Sequence, residues 1–360
     1  MNSRNSYLDA SLFQEKMNLG SWNGNNGLVE KSVDIGNAIN GIRLFGDIKV
    51  KTGSTETVEE LKFAHMERIV VTLNGTAVVD LSGDEFQNWK YVQGFNDPRF
   101  FDDREQKTNV DIPFFNNYQE TNARYLTVPN TGTGSFIGRL SIKIRFKKTY
   151  DILYTPATGA ETHKTYTIEG GFVDYQSATT SNIQGNNNNF LQIRSHSKTL
   201  TQTGDNEITD LPKDGVLTQY LIVPISANSS AALPNMAVFT RSKIKVNNVD
   251  RWVMYNLHQN RTLESSNYRN PPQFQPAIKE GPTERARHPL DEGNFCYYDQ
   301  STDGNGLALD GSAVGIRLAG ASSFIIQLTV DHFITNGGSS ATSAPVNIVT
   351  TSIIQLSGQG

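Results

Sequence analysis

Three stretches of this chain occur twice, in the same order. Ser135-Phe136-Ile137-Gly138-Arg139-Leu140-Ser141-Ile142 returns as Ser323-Phe324-Ile325-Ile326-Gln327-Leu328-Thr329-Val330, 188 residues further on. Glu67-Arg68-Ile69-Val70-Val71 returns as Asp250-Arg251-Trp252-Val253-Met254 at an offset of 183, and Gly41 to Lys51 matches Gly215 to Ser226 at 174. Offsets that drift slowly are what insertions into one of two copies produce. Solenoids and propellers repeat every ~20–50 residues, whereas a period this long is the length of a domain. The 360 residues therefore read as two copies of one module, each large enough to bury its own core.

The module is β. Ile42, Leu44, Ile48 and Val50 alternate with Arg43, Asp47, Lys49 and Lys51, and Leu140, Ile142, Ile144 and Phe146 alternate with Ser141, Lys143, Arg145 and Lys147. One apolar and one polar face suits antiparallel sandwich sheets, not parallel sheets covered on both sides. Asn74-Gly75, set between Ile69–Leu73 and Thr76–Leu81, predicts a two-residue hairpin, because a type I′ turn needs positive φ at both positions. The polar run Thr201 to Asn206 marks the division, giving an N-terminal arm at 1–27, a first module at 28–203 and a second at 204–360.

In the arm, Ser6-Tyr7-Leu8-Asp9 reads as a capping box that opens a short helix ending near Leu19, followed by a connector over 20–27. Leu8, Leu12 and Leu19 share one helical face and Phe13 and Met17 the other, so this helix is expected to be wedged between surfaces. The plain alternative is a frayed tail. Three prolines within 271–276 exclude a ladder there. Long inserts fall at 95–122 and 150–165, and Asn186–Asn189 is a short asparagine tract.

The bulk properties exclude several classes of function. A net charge of −4 gives no global attraction to nucleic acid or anionic membrane. The single cysteine, Cys296, excludes an intrachain disulfide framework. Met1 to Asn5 lacks the apolar run of a secretory signal, and no stretch approaches the ~18 consecutive apolar residues of a membrane span. Asn74, Asn228 and Asn260 head Asn-x-Ser/Thr triplets and, without a secretion route, are taken as bare side chains.

Chemistry-bearing patterns are sparse. His65, His163, His196, His258, His288 and His332 include no pair with metal-ligand spacing. Neither a nucleophile elbow nor a phosphate-cradling glycine loop is present, so no catalytic or cofactor-binding residues are assigned. Asp97, Asp102, Asp103 and Glu105 are interleaved with Arg99, Arg104 and Lys107 and read as a self-neutralised loop. Asp299, Ser301, Asp303 and Asp310 stand at positions 1, 3, 5 and 12 of a calcium-type loop with Gly304 at position 6. Against that metal reading, position 12 is Asp, position 8 is Gly306, and Asp-Gly also makes ordinary turns. Lys143, Arg145, Lys147 and Lys148 form a basic stripe without stacking aromatics, which reads as a solvated sheet face and not as a single-strand nucleic-acid site.

Certain motifs carry a family resemblance. Val33-Asp34-Ile35-Gly36-Asn37-Ala38-Ile39-Asn40-Gly41-Ile42, followed after two residues by Phe45, resembles the opening of the first jelly roll in tectivirus major capsid proteins. Ala64-His65-Met66-Glu67-Arg68-Ile69-Val70 is similar to the next strand entry. Leu211-Pro212, Gly215 and Leu221-Ile222-Val223-Pro224-Ile225 resemble the start of the second roll; Arg285-Ala286-Arg287, Phe295-Cys296-Tyr297-Tyr298 and 324–333 also fit. The resemblance implies an all-β fold of two tandem eight-stranded jelly-roll β-sandwiches with a short N-terminal helix. It implies a non-enzymatic coat protein without cofactor, of tailless, membrane-containing icosahedral bacteriophages in the adenovirus-hexon lineage. Three such chains form a pseudo-hexagonal homotrimer that meets neighbouring capsomers and minor capsid, cement and vertex proteins, with no specific nucleic acid. Assembly would be in the host cytoplasm and the mature location the virion. Tyr7, Leu8, Leu12, Phe13, Met17 and Trp22 would face neighbouring trimers or the internal viral membrane. Two rival readings are a minor vertex protein and a β-sandwich carbohydrate-binding protein, glycoside hydrolase or viral spike. The second wants exposed Trp platforms and, for hydrolysis, a carboxylate pair; Trp22, Trp89 and Trp252 lie instead in the arm and in strand-like runs.

Overall fold

Alternating burial builds strands through most of the chain, and the clearest case reads buried at Leu140, Ile142, Ile144 and Phe146 with the residues between them outward. The computed structural model describes residues 12–13, 16–24, 27–35, 39–92, 110–114, 138–154, 162–179, 189–224, 236–254, 297–299, 315–334 and 342–355. Two compact units result. One comprises Met1–Gln192, Lys279–Ala286 and Gln355–Gly360; the other comprises Ile193–Ile278 and Arg287–Ile354.

The first unit holds β1 (Leu12–Phe13), β2 (Met17–Asn23), β3 (Leu28–Ile35), β4 (Ile39–Thr52), β5 (Thr55–Glu60), β6 (Met66–Leu73) and β7 (Thr76–Leu81). After helix α1 (Gly83–Val92) come β8 (Val110–Pro113), β9 (Gly138–Phe146), β10 (Thr149–Tyr154) and β11 (Thr162–Thr179). β12 (Asn189–Leu200) begins in the first unit and continues into the second. There follow β13 (Gly204–Ile208), β14 (Val216–Pro224), β15 (Met236–Val246), β16 (Val249–Met254), β17 (Tyr297–Asp299), β18 (Ile316–Arg317), β19 (Phe324–Ile334) and β20 (Ala344–Gln355).

Both units are wired alike. In the first, β2, β11, β4 and β8 run side by side in one sheet and β3, β9, β6 and β7 in the other. In the second, β12, β20, β14 and β17 run side by side, and β13, β19, β15 and β16 form a four-stranded sheet. Taken in chain order, the eight strands of one set correspond to the eight of the other, neighbour for neighbour. Two four-stranded sheets with this order make a jelly roll, so the chain is an all-β protein of two tandem eight-stranded jelly rolls.

Register matches as well as order. Leu73, Val71 and Ile69 face Leu140, Ile142 and Ile144 in the first roll; Val246, Ile244 and Ser242 face Phe324, Ile326 and Leu328 in the second. The hairpins β6–β7 and β15–β16 both turn on positive φ, at Asn74 (49°) and Gly75 (83°) in one and at Asn247 (52°) and Asn248 (63°) in the other. The Asn74 side-chain carbonyl accepts the Arg139 N–H at 2.8 Å, and that of Asn247 accepts the Ser322 and Ser323 N–H groups at 2.8 and 3.3 Å. Each asparagine thus ties its turn to the strand that enters beside it.

The structure corrects several expectations. Arg139 corresponds to Ser323, an offset of 184 and not 188. The difference is even, so the in–out alternation is the same in either alignment. The counterpart of β6 is β15, so the match of Glu67–Val71 to Asp250–Met254 joins strands that do not correspond. The short N-terminal helix is not seen: Leu12–Phe13 and Met17–Asn23 are strands along β11, and Ser6–Ser11 lie outside the described residues. Apolar residues on two sides of a short run suit a strand sealed into a sheet as well as a wedged helix, and Gly20-Ser21-Trp22 is poor helix material. The first half of the expected connector, 20–23, is strand β2, with Trp22 stacked on Phe146 at 4.0 Å between ring centroids. By strand order, the first set of eight begins with β2 and the second with β12.

Each roll has its own apolar core. Ile42, Leu44, Ile48, Ile69, Val71, Ile142 and Ile144 are fully enclosed in the first. Leu217, Tyr220, Ile222, Ile244, Ile326, Leu328 and Ile348 occupy the same role in the second. Among the described residues no helix is long and apolar enough to cross a membrane.

Candidate functional site

Most of the residues singled out in the sequence lie outside the described part of the chain. Asp299 ends β17, whereas Ser301, Asp303 and Asp310 lie outside the described residues, as do Asp97–Glu105, His258, His288 and Cys296. Among the described residues no three His, Cys, Asp or Glu side chains gather as a metal-binding group. The basic stripe separates on folding. Lys143 and Arg145 point outward from β9, with Lys143 3.2 Å from Glu30 of β3. Lys147 and Lys148 lie beyond the strand, and Lys147 bonds Asp84 of α1 at 2.6 Å. Trp89 is fully buried, and Trp22 and Trp252 pack on Phe146 and Tyr220, so none of the three forms an open sugar platform.

A buried ionisable cluster lies where the first roll's chain crosses between its sheets. β5 pairs with β4 in one sheet and β6 with β9 in the other. Between them, Leu61 anchors to Gly46 by a backbone bond of 2.8 Å and a 3-10 turn spans Phe63–His65. His65 is completely enclosed. Its Nδ1 accepts the Lys62 backbone N–H at 3.1 Å, which leaves the ring proton on Nε2, 3.4 Å from Glu59 Oε2. Its own carbonyl accepts the Lys147 N–H at 2.9 Å. Tyr150 of β10 sets its ring edge-on to His65 at 4.8 Å and stacks on Tyr166 at 5.3 Å. Lys62 Nζ reaches Glu59 Oε2 at 3.2 Å.

The charges follow from this geometry. Burial pushes the Glu59 carboxyl up, but the neighbouring polar groups of His65 and Tyr150 and the Lys62 charge outweigh it, holding Glu59 down at about 2. Burial pushes His65 below the usual histidine value of 6.5; the Glu59 carboxylate opposes this, and the Lys62 and Lys147 charges add to it. The resting state is therefore an anionic Glu59 beside a neutral His65. Sequence reading noted His65 as one histidine of six and as part of a strand entry at Ala64–Val70, and assigned it no partner. The signal that was available is its place just before an apolar strand with Glu59 and Lys62 upstream. A true capping box also went unread at Ser82-Gly83-Asp84-Glu85, where Glu85 N–H donates to Ser82 Oγ at 3.2 Å and Ser82 N–H to Glu85 Oε2 at 2.6 Å.

The second roll keeps its charges outside. On β15, Arg241 makes a forked pair with Asp205 of β13 at 3.0 and 3.1 Å. Lys243 reaches Asp250 of β16 at 2.9 Å and Lys245 reaches Glu207 at 3.0 Å. This ladder is locally neutral. In both the ladder and the Glu59–His65 cluster the charges are held by neighbouring partners, and each reads as structural.

The architecture defines a class, the double jelly roll. It is shared over full length with solved viral coat proteins. The chain is similar over 97% of its length to 100% of the major capsid protein P2 from bacteriophage PM2, with TM-score 0.53 and 10% identity. It is similar over 98% of its length to 96% of the chain in the PBCV-1 virus capsid, with TM-score 0.56 and 12% identity. No protein-family profile matches the chain, and no curated protein matches it. At these identities the likeness is one of fold.

Proposed function

We propose that this chain is a major capsid protein, the repeated structural subunit of an icosahedral virion. The observation that carries the reading is that two complete jelly rolls of matched strand order account for the described chain, and that this whole length corresponds to the whole of a solved capsid subunit. The role asked of such a chain is to present rigid surfaces, and described charges held in local pairs suit that role better than they suit catalysis. In this reading three chains form a homotrimer. Its six rolls give a near-hexagonal outline, because three-fold symmetry acting on a duplicated domain approximates six-fold packing with contacts that close. Its partners are neighbouring capsomers and the minor cement and vertex proteins, and the shell is of the tectivirus type suggested by 33–45 and 211–225.

The test is the mass of the purified full-length chain by light scattering across a range of concentrations, with electron microscopy of the particles. The expected result is three times the chain mass and a six-cornered outline. A monomer at every concentration would overturn the reading.

A further inference from the structure

We propose that His65 is an acid-sensitive latch at the crossover between the two sheets of the first roll, closed while its ring is neutral and opened when Nδ1 takes a proton. The geometry makes protonation and closure incompatible. Nδ1 is the acceptor for the Lys62 backbone N–H at 3.1 Å, so a proton arriving from water at Nδ1 meets a donor and the bond breaks. The ring is wholly enclosed, with no solvent to stabilise the added charge.

The groups that face it decide the sign. Glu59 from β5 attracts an imidazolium. Lys62 from the crossover turn and Lys147 from the end of β9 repel it, and Lys147 is itself engaged by Asp84 of α1. Tyr150 from β10, backed by Tyr166 of β11, lies T-shaped to the His65 ring and brings no charge of its own. Burial and the two lysines prevail over Glu59. Because the folded value lies below the unfolded one, the neutral ring's contribution is full above pH 6.5 and declines as pH falls below it. Glu59 remains ionised through this range, so the step belongs to the histidine. What opens is the segment that passes the chain from one sheet to the other, together with the Lys147 N–H bond to the His65 carbonyl.

Hydrogen exchange of the full-length protein at pH 7.5 and 5.5, corrected for intrinsic exchange, tests the latch. For a histidine that binds a proton only in the open form, protection of a peptide spanning 59–66 falls about tenfold between these conditions. His65→Gln, which keeps an acceptor and a donor without titrating, is expected to abolish that fall. Unchanged protection in the unaltered chain, or an equal fall in His65→Gln, would overturn the proposal. Should the variant not fold, the histidine ring resonances of the unaltered protein decide. A His65 ring still neutral at pH 5.5 in the folded state supports the latch, and one titrating at or above 6.5 removes it.

Discussion

Asn74 and Asn247 each occupy a left-handed conformation that costs an ordinary L-residue about 1–2 kcal/mol, and each accepts backbone N–H groups from the strand that follows in space. Two contributions can therefore be separated at one position. Asn74→Gly removes only the bond and is expected to lower stability by about 1 kcal/mol, whereas Asn74→Ala also strains the turn and is expected to cost about 2 kcal/mol. Urea unfolding checks both, and equal losses would show that the conformation contributes nothing. Glu59 carries a second expectation. Its folded value of about 2 lies below the ordinary 4.5, so its contribution is complete above pH 4.5 and is lost as pH falls from there toward 2. Urea midpoints at pH 7, 4.5 and 3 should fall steeply over the last interval in the unaltered protein and less in Glu59→Gln.

At the scale of elements, β2 decides whether β11 has an open edge. β10 pairs with β11 over Thr162–Thr167, β2 over Gly170–Tyr175 and β1 over Ala178–Thr179. Leu19 is buried, Trp22 stacks on Phe146, and a side chain at Gly27 would meet the Trp22 ring at 2.4 Å. Removing residues 2–23 is therefore expected to lower the melting temperature and to promote association through the bared edge, with light scattering during a thermal ramp as the readout. An unchanged melt would show β2 to be dispensable. These strands also show what was legible in advance. The alternation of Leu140–Phe146 and the Asn74-Gly75 turn were readable because period-2 burial and positive φ leave local marks. The four-residue slip between the two copies left none, since an even shift keeps every side chain on its own face. β1 and β2 were misread because the spacing of Leu12, Phe13, Met17 and Leu19 suits a two-sided helix as well as edge strands, and only the distant partner β11 distinguishes them. Nor is the meeting of Glu59, His65, Lys147 and Tyr150 written locally, since it depends on four separate elements arriving at one crossover.

At the scale of the whole molecule, stability rests on two cores and not on the charges around them. The ladder of Arg241, Lys243 and Lys245 is partly exposed, and pairs of that kind contribute about 0–1 kcal/mol each. Its value is that this sheet of the second roll carries both signs side by side and not a stripe of one sign that would draw copies together indiscriminately. The trimer expected for the shell would then depend on shape and on apolar contact more than on long-range attraction.

The identical registers of the two rolls make the chain its own control experiment. Val71 and Ile244 stand at one address in two houses, as do Ile142 and Ile326 and the asparagines at either hairpin. An alteration made first in one copy and then in the other is read in a single solution, at one temperature and one denaturant concentration. Whatever differs between the two readings is due to surroundings alone, a separation that usually requires two proteins and the assumption that they were treated the same.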